Sequence, residues 1–139
     1  MGRSRGGFTS KLHIAATDEN TPIAIVLTPG QRNDAAVFED LMEAVPPDCH
    51  PAEAVADKGY DSDKIRDSLL DEGIKPVIPS RSTAVDPVRL DKKAYRERNC
   101  IERLISKLKQ FRRIATRYDK LAVTFMAFVH ITSALIMCR

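Results

Sequence analysis

Hydrophobic and polar positions change period several times along this 139-residue chain, and each change marks an element. Residues 11–17 and 23–28 are β-type segments joined by Asp18-Glu19-Asn20-Thr21, a hairpin signal. Pro29-Gly30 ends the second of them. Val37, Phe38, Leu41 and Met42 recur at helical spacing over 35–44, behind Asp34 as the expected cap, and Pro46-Pro47 stops that helix. Residues 52–56 are short, small and apolar, as in a buried strand, and run into Asp57-Lys58-Gly59-Tyr60-Asp61. A helix over 62–72 follows, with Asp61 placed to cap it and Gly73 to close it. Residues 75–78 form another short strand ended by Pro79. Residues 80–92 show no periodicity and read as a loop. Long helical patterns cover 93–115 and 120–137. Residues 1–10 read as a flexible basic lead-in. Strand, strand, helix, strand, helix, strand, helix is an α/β order, a hairpin followed by parallel crossovers in a mixed sheet flanked by helices. The length suits one domain over 1–139.

The pattern over 93–115 has three faces. At about 100° per residue, with Tyr95 at zero, Arg98, Glu102 and Lys109 fall at roughly 300°, 340° and 320°. Ile101, Leu104, Ile105, Leu108 and Phe111 make the face for burial, and Arg96, Arg103 and Lys107 point to solvent. The Tyr95/Arg98/Glu102/Lys109 stripe therefore borders the core.

Charge sharpens that picture. The formal net charge is only +3, but residues 89–117 hold 11 Lys/Arg against Asp91, Glu97 and Glu102, a local +8 that leaves −5 for the rest. A basic stripe on an acidic body is the footprint of a polyanion ligand, although a solvated charged helix would look the same. Glu102 either pairs with Arg98 one turn back or coordinates a divalent metal while Arg98 and Lys109 hold phosphates and Tyr95 contacts backbone or base. Asp57 follows a buried strand directly, at the carboxyl edge where α/β proteins place their sites, and Gly59 lets the chain turn away from it. Two carboxylates from separate elements beside a basic wall suit phosphodiester chemistry with Mg²⁺ or Mn²⁺. His13 alternates with apolar neighbours and reads as packed or surface rather than catalytic. Arg3, Arg5 and Lys11 are candidates for DNA-backbone contacts, as are Arg112 and Arg113.

Cys49, Cys100 and Cys138 are widely spaced with no CxxC pair, which argues against a disulfide framework or structural zinc and fits a reducing cytoplasm. The Gly/Arg-rich start has no apolar core, so no secretory signal is expected. The apolar run 121–138 contains Thr124, His130, Thr132 and Ser133, and reads as a packed helix rather than a membrane span.

Tyr95-x2-Arg98-x3-Glu102-x6-Lys109 resembles the Tyr-Arg-Glu-Lys signature of bacterial insertion-sequence DDE transposases. The string RNCIERLISKLKQFRRIATRYDK is similar to their IS-five-like branch, as are GRSRGGFTSKLH, GQRND and ADKGYDS, so the likeness spans essentially the whole chain. The resemblance implies a ribonuclease-H-like fold with a DDE metal triad. Asp57 then matches the second Asp and Glu102 the Glu, both as metal ligands and catalytic residues. Tyr95, Arg98 and Lys109 match the residues that handle transposon-end DNA. The implied reaction is Mg²⁺-dependent strand cleavage at the ends of double-stranded DNA, then attack of the 3′-hydroxyl on target DNA.

In that family the first Asp lies on a first strand upstream of the GRSRGG segment. The expectation here is a partial catalytic domain without that strand and Asp, inactive alone, with neither Asp18 nor Asp34 placed as a substitute. It would be a truncated copy or the second frame of a frameshifted transposase. Its partners would be a second copy or the N-terminal transposase part. The alternative is a non-enzymatic DNA-binding remnant or an inhibitor of intact transposase. Because the first strand lies centrally in such a sheet, its absence leaves two edges unpaired, so a marginally stable or rearranged chain that binds Mg²⁺ weakly is expected.

Overall fold

A computed structural model describes the backbone of residues 2–4 and 7–139 and the side chains from Thr9 onward. Strand β1 (Gly2–Ser4) pairs antiparallel with β2 (Gly7–Ala16), so regular strand stands where the sequence suggests a structureless lead-in. The expected hairpin is present: β2 pairs with β3 (Pro22–Pro29) in the register Leu12↔Leu27, His13↔Val26, Ile14↔Ile25, with an irregularity between Ala15 and Ala16. Asp18 closes its turn by accepting from Asn20 N at 2.7 Å and from Thr21 Oγ1 at 2.9 Å.

Strict alternation gives the hairpin two different faces. Leu12, Ile14, Ala16, Ile25 and Leu27 pack on the cluster of Leu104, Leu108, Ile114, Phe125, Val129 and Ile136. Those residues come from α4 (Asn99–Lys109), α5 (Arg112–Ala115) and α6 (Ala122–Met137). The opposite face carries Lys11 and the buried His13, with Ala24 and Thr28 also buried on β3. On that side lies a 3-10 turn (Asp34–Val37) leading into α1 (Phe38–Glu43).

A second cluster joins Phe38 to Ile65 and Leu69 of α2 (Asp63–Asp71) and to Ile74 and Ile78. It covers the parallel pair β4 (Glu53–Val55) and β5 (Lys75–Val77). Gly73 ends α2 at φ 74°, a conformation that costs an L side chain energy and so explains the glycine. The strands thus divide between an antiparallel three-stranded sheet and a parallel two-stranded one, rather than forming one mixed sheet. Among the described residues, Lys11–Ala16 pairs only with β3, and β4 only with β5.

The helix expected over 93–115 is divided. It comprises α3 (Lys92–Tyr95), a 3-10 turn (Arg96–Arg98) and α4, and then breaks where Phe111 adopts extended backbone before α5. Arg103 and Lys107, expected in solvent, reach Glu19 at the hairpin tip, and Lys107 also donates to Asn20 Oδ1 at 2.7 Å. Cationic side chains on α4 thereby fasten it to the hairpin. Among the described residues, no helix is long and apolar enough to cross a membrane.

Candidate active site and nucleic-acid cleft

The site is set by where the chain leaves its strands. β4 delivers Asp57 to a 3-10 turn (Lys58–Tyr60), where Asp57 Oδ1 accepts from Gly59 N at 2.8 Å. Asp57 is therefore the cap of this turn. Asp61, the cap expected from the sequence, serves elsewhere. Ser62 occupies the N-cap of α2, while Asp61 Oδ1 accepts from Arg66 at 2.8 Å. Asp61 Oδ2 accepts from the backbone N of Arg81 at 2.7 Å, which ties the loop after β5 to the same turn. The Arg66 hydrogen bond, then that of Arg81, holds the Asp61 carboxyl below the usual carboxylate range.

On the hairpin side, Asn33 rather than Asp34 caps the first 3-10 turn, accepting from Ala35 N. Two neighbouring Asx residues compete for this role, and the one left over projects into the cleft. A Cβ built on Gly59 would stand 2.7 Å from Asp34 Oδ2 and 2.8 Å from Asp57 Oδ1, so the two carboxylates flank this glycine. A side chain here would drive them apart. Asp34 also accepts from Lys11 Nζ at 2.8 Å.

Beneath them, buried His13 is hydrogen-bonded on Nε2 to Thr28 Oγ1 and on Nδ1 to the Tyr60 hydroxyl, each at 3.0 Å. Burial lowers the His13 pKa, against the partial opposition of Asp34, and keeps the ring neutral near pH 7. Burial and then the charges of Asp34 and Asp57 push the Tyr60 phenol well above its ordinary range. This pair links the hairpin to the Asp57 turn, which selects the packed reading of His13 over the surface one.

An open cleft of about 1040 Å³ runs over these groups, lined among others by Lys11, Arg32, Asp34, Asp57, Lys58, Arg81, Tyr95 and Arg98. Five cations against two carboxylates give the lining a formal surplus of three, equal to that of the whole chain. The positive excess thus belongs to the cleft as much as to the basic helix.

Asp57, Tyr95 and Arg98 therefore meet in one cleft. Arg98 lies 5.6 Å from the Tyr95 ring centroid, in cation–π range, and donates to Glu102 Oε1. Glu102 is about half exposed and does not line the cleft; it connects to it through Arg98. The 3-10 turn brings Arg98 into line with Tyr95, because each 3-10 residue advances about 120° instead of 100°, a drift of roughly 60° over three residues, whereas Glu102 lies one turn further along α4. Lys109 is exposed, further along α4 and outside the lining. Arg113 pairs with Asp119 at 3.0 Å and lies 5.1 Å from the Phe128 ring, so it covers α6. Arg112 is exposed on α5. The Arg3 side chain and Arg5 lie outside the described residues.

Asp57, Asp34 and Glu102 offer the hard oxygen donors that Mg²⁺ or Mn²⁺ prefers. Among the described residues, however, no three His, Cys, Asp or Glu side chains gather as a metal ion would require. As arranged, these residues do not compose a metal centre.

Residues 2–137 match the family described as "Transposase DDE domain". The chain belongs to that family. It is 34% identical over 137 residues to a Brucella ovis protein named "Putative transposase for insertion sequence element IS6501", covering 95% of this chain and all of that one. It is also 34% identical over 142 residues to "Putative transposase for insertion sequence element IS402" of Burkholderia cepacia, covering 96% of this chain but 64% of that protein's length. No solved structure matches. Sequence reasoning missed Lys58 and Arg81 in the Asp57 cleft, and favoured a capping role for Asp34 over its place at the site edge. GQRND and ADKGYDS flag the segments of Asp34 and Lys58, but only folding brings Asp34 to Gly59.

Proposed function

We propose that this chain is the DNA-handling part of an insertion-sequence transposase of the IS-five-like branch, with Asp57 and Glu102 as two carboxylates of its catalytic set. Tyr95, Arg98, Glu102 and Lys109 are then its Tyr-Arg-Glu-Lys signature. The observation that carries this reading is the meeting of Asp57, Tyr95 and Arg98 in one cationic cleft. Tyr95 offers a ring and hydroxyl to a base or sugar, and Arg98 a planar fork for phosphate. The reaction is strand cleavage at transposon ends followed by 3′-hydroxyl transfer; in a completed site Asp57 and Glu102 would hold a Mg²⁺ or Mn²⁺ ion, which would supply positive charge to the displaced oxygen.

The chain does not cleave alone, because the described residues assemble no three-donor set. The ribonuclease-H-like sheet is completed when a strand carrying a further Asp enters between β2 and β4, whose edges have no partner among the described residues. That strand belongs to a transposase segment other than the described residues. The division of the strands into two sheets supports this arrangement. A non-enzymatic DNA-binding remnant is the second reading, favoured by the Arg98–Glu102 ion pair that occupies one candidate ligand.

The experiment mixes the chain with duplex DNA bearing transposon ends and Mg²⁺, with and without a supplied N-terminal segment, and scores nicking. Nicking only with the segment, abolished by Asp57→Asn or Glu102→Gln, is expected. Nicking by the chain alone contradicts the incomplete site. Salt-sensitive binding without nicking in either case selects the remnant.

A further inference from the structure

The cleft has a second set of cations that the signature helix does not contain. Besides Tyr95 and Arg98, its lining includes Lys11 from β2, Arg32 from the loop after β3, Lys58 from the Asp57 turn and Arg81 from the loop after β5. These four come from separate segments and converge around the Asp34 and Asp57 carboxylates.

Their existing partners differ. Lys11 donates to Asp34 at 2.8 Å, and Arg32 pairs with Asp40 at 3.3 Å. The Arg81 guanidinium makes only long bonds, 3.4 Å to Lys58 O and 3.5 Å to Gly59 O. Lys58 is exposed, and no hydrogen bond or ion pair of its ammonium is found among the described residues. Lys58 and Arg81 therefore retain the most donor capacity, and both sit on or over the turn that carries Asp57. The backbone of Arg81 is fixed independently through its N–H to Asp61. Its position is thus pre-organised while its side chain stays available.

The shape of the cleft selects the class of ligand. At about 1040 Å³ and open to solvent, it lies at the top of the range for enclosed small-molecule sites, about 300–1,000 Å³. A single small anion would be held by convergent donors in a closed pocket. Five cations from separate segments in one open cleft, with the Tyr95 ring among them, suit a chain of phosphates with bases.

We propose that Lys58 and Arg81 contact the phosphodiester backbone of the DNA strand that enters the Asp57 cleft, as a second set of cations beside Arg98. This rests on the transposase reading and specifies the path of its substrate. Arg32 is an outer contact of the same set. Lys11 remains the counter-ion of Asp34.

The test is fluorescence anisotropy of the full chain on a labelled 20–30 bp duplex across a salt series in EDTA. Each phosphate contact contributes about 0.9 to the slope of log K against log salt. Lys58→Ala and Arg81→Ala are expected to lower the slope by about 0.9 each, and the double variant by about 1.8. Arg81→Lys restores most of it. Lys64→Ala, an exposed cation on α2 outside this cleft, keeps the wild-type slope. Circular dichroism melts verify that each variant folds, which the exposed Lys58 and the side-chain-independent Asp61–Arg81 bond favour. DNA binding with wild-type slopes in both Lys58→Ala and Arg81→Ala overturns the second set of contacts and leaves the transposase reading standing. An equal loss in Lys64→Ala reduces the effect to overall charge and overturns it as well. A wild-type chain that does not bind DNA at all defeats the transposase reading and this inference with it.

Discussion

Replacing Asp61 by Asn should be among the most damaging single changes near the cleft, although Asp61 contacts no proposed substrate. Arg66 is only 7% exposed, and its guanidinium donates at 2.8 Å both to Asp61 Oδ1 and to Ile78 O. The other Asp61 oxygen receives Arg81 N. Asn has one acceptor oxygen for two donors, and its amide would oppose the second donor. Breaking a buried ion pair by removing one partner costs about 3–5 kcal/mol, and the low exposure of both side chains (8% and 15%) puts this pair near that range. At roughly 3–4 °C per kcal/mol for a chain of this size, the melting temperature should fall by about 10 °C or more. Because domains are stable by only about 5–15 kcal/mol, a chain at the lower end would be substantially unfolded at 25 °C. Urea and thermal melts followed by circular dichroism measure this. Asp61→Leu combined with Arg66→Met should recover part of the loss, since no unpaired charge is then buried. The pH dependence has a definite sign. The folded-state pKa of Asp61 lies below its unfolded value, so its contribution is complete above about pH 3.9 and disappears as pH falls through the folded value. A melting temperature for Asp61→Asn within about 2 °C of wild type would refute the reasoning, since it would make the pair worth under about 1 kcal/mol.

The other predictions concern neighbouring groups. His13 is held neutral by burial beside Asp34, Lys11 and Arg32; its folded pKa is depressed, so stability should be complete above about pH 6.5 and decline as pH falls through the folded value. His13→Gln should cost roughly 1–3 kcal/mol and flatten melting temperature against pH below 6.5. Gly59→Ala forces a Cβ against both carboxylates and should cost about 1–3 kcal/mol, read by urea melts. Asp57→Asn keeps the acceptor for Gly59 N but removes a charge facing the DNA; with about 1 kcal/mol per charge pair at 4 Å in water, duplex affinity should rise roughly fivefold in anisotropy titrations. Glu102→Gln loosens only an exposed ion pair and should change stability by less than about 1 kcal/mol, while abolishing nicking in the complemented assay.

Much of the element order is legible in the sequence because local signals agree with packing. The alternation from Leu12 to Ala16 and from Ile23 to Leu27 has one physical solution, a hairpin with one greasy face, and α4 and α6 cover that face. The α2 boundary is equally local, since Gly73 is at positive φ. Capping is less legible, because Asn33 and Asp34, or Asp61 and Ser62, are near-equivalent in isolation and are resolved only by a distant donor. Lys11 takes Asp34, and Arg66 with Arg81 takes Asp61.

The basic helix shows where composition misleads. Its charge reads as one polyanion surface, yet Arg103 and Lys107 are engaged with Glu19 at the hairpin tip, and Arg113 pairs with Asp119 while stacking on Phe128. Such cations are held by carboxylates from remote parts of the chain, which no window along the helix can reveal. The helical projection assumes uniform winding, and the 3-10 turn at Arg96–Arg98 swings Arg98 by roughly 60° into line with Tyr95, while Glu102 stays one turn further along. Tyr95 and Arg98 therefore line the cleft with Asp57, and Glu102 stands behind Arg98. Bringing Glu102 to the Asp57 side requires the Arg98–Glu102 pair to open. At an exposed site that pair is worth about 0–1 kcal/mol, which leaves the guanidinium free to exchange its carboxylate for a DNA phosphate. On this argument, DNA binding is what would release the second carboxylate, and the spacing of Arg98 and Glu102 couples the two events.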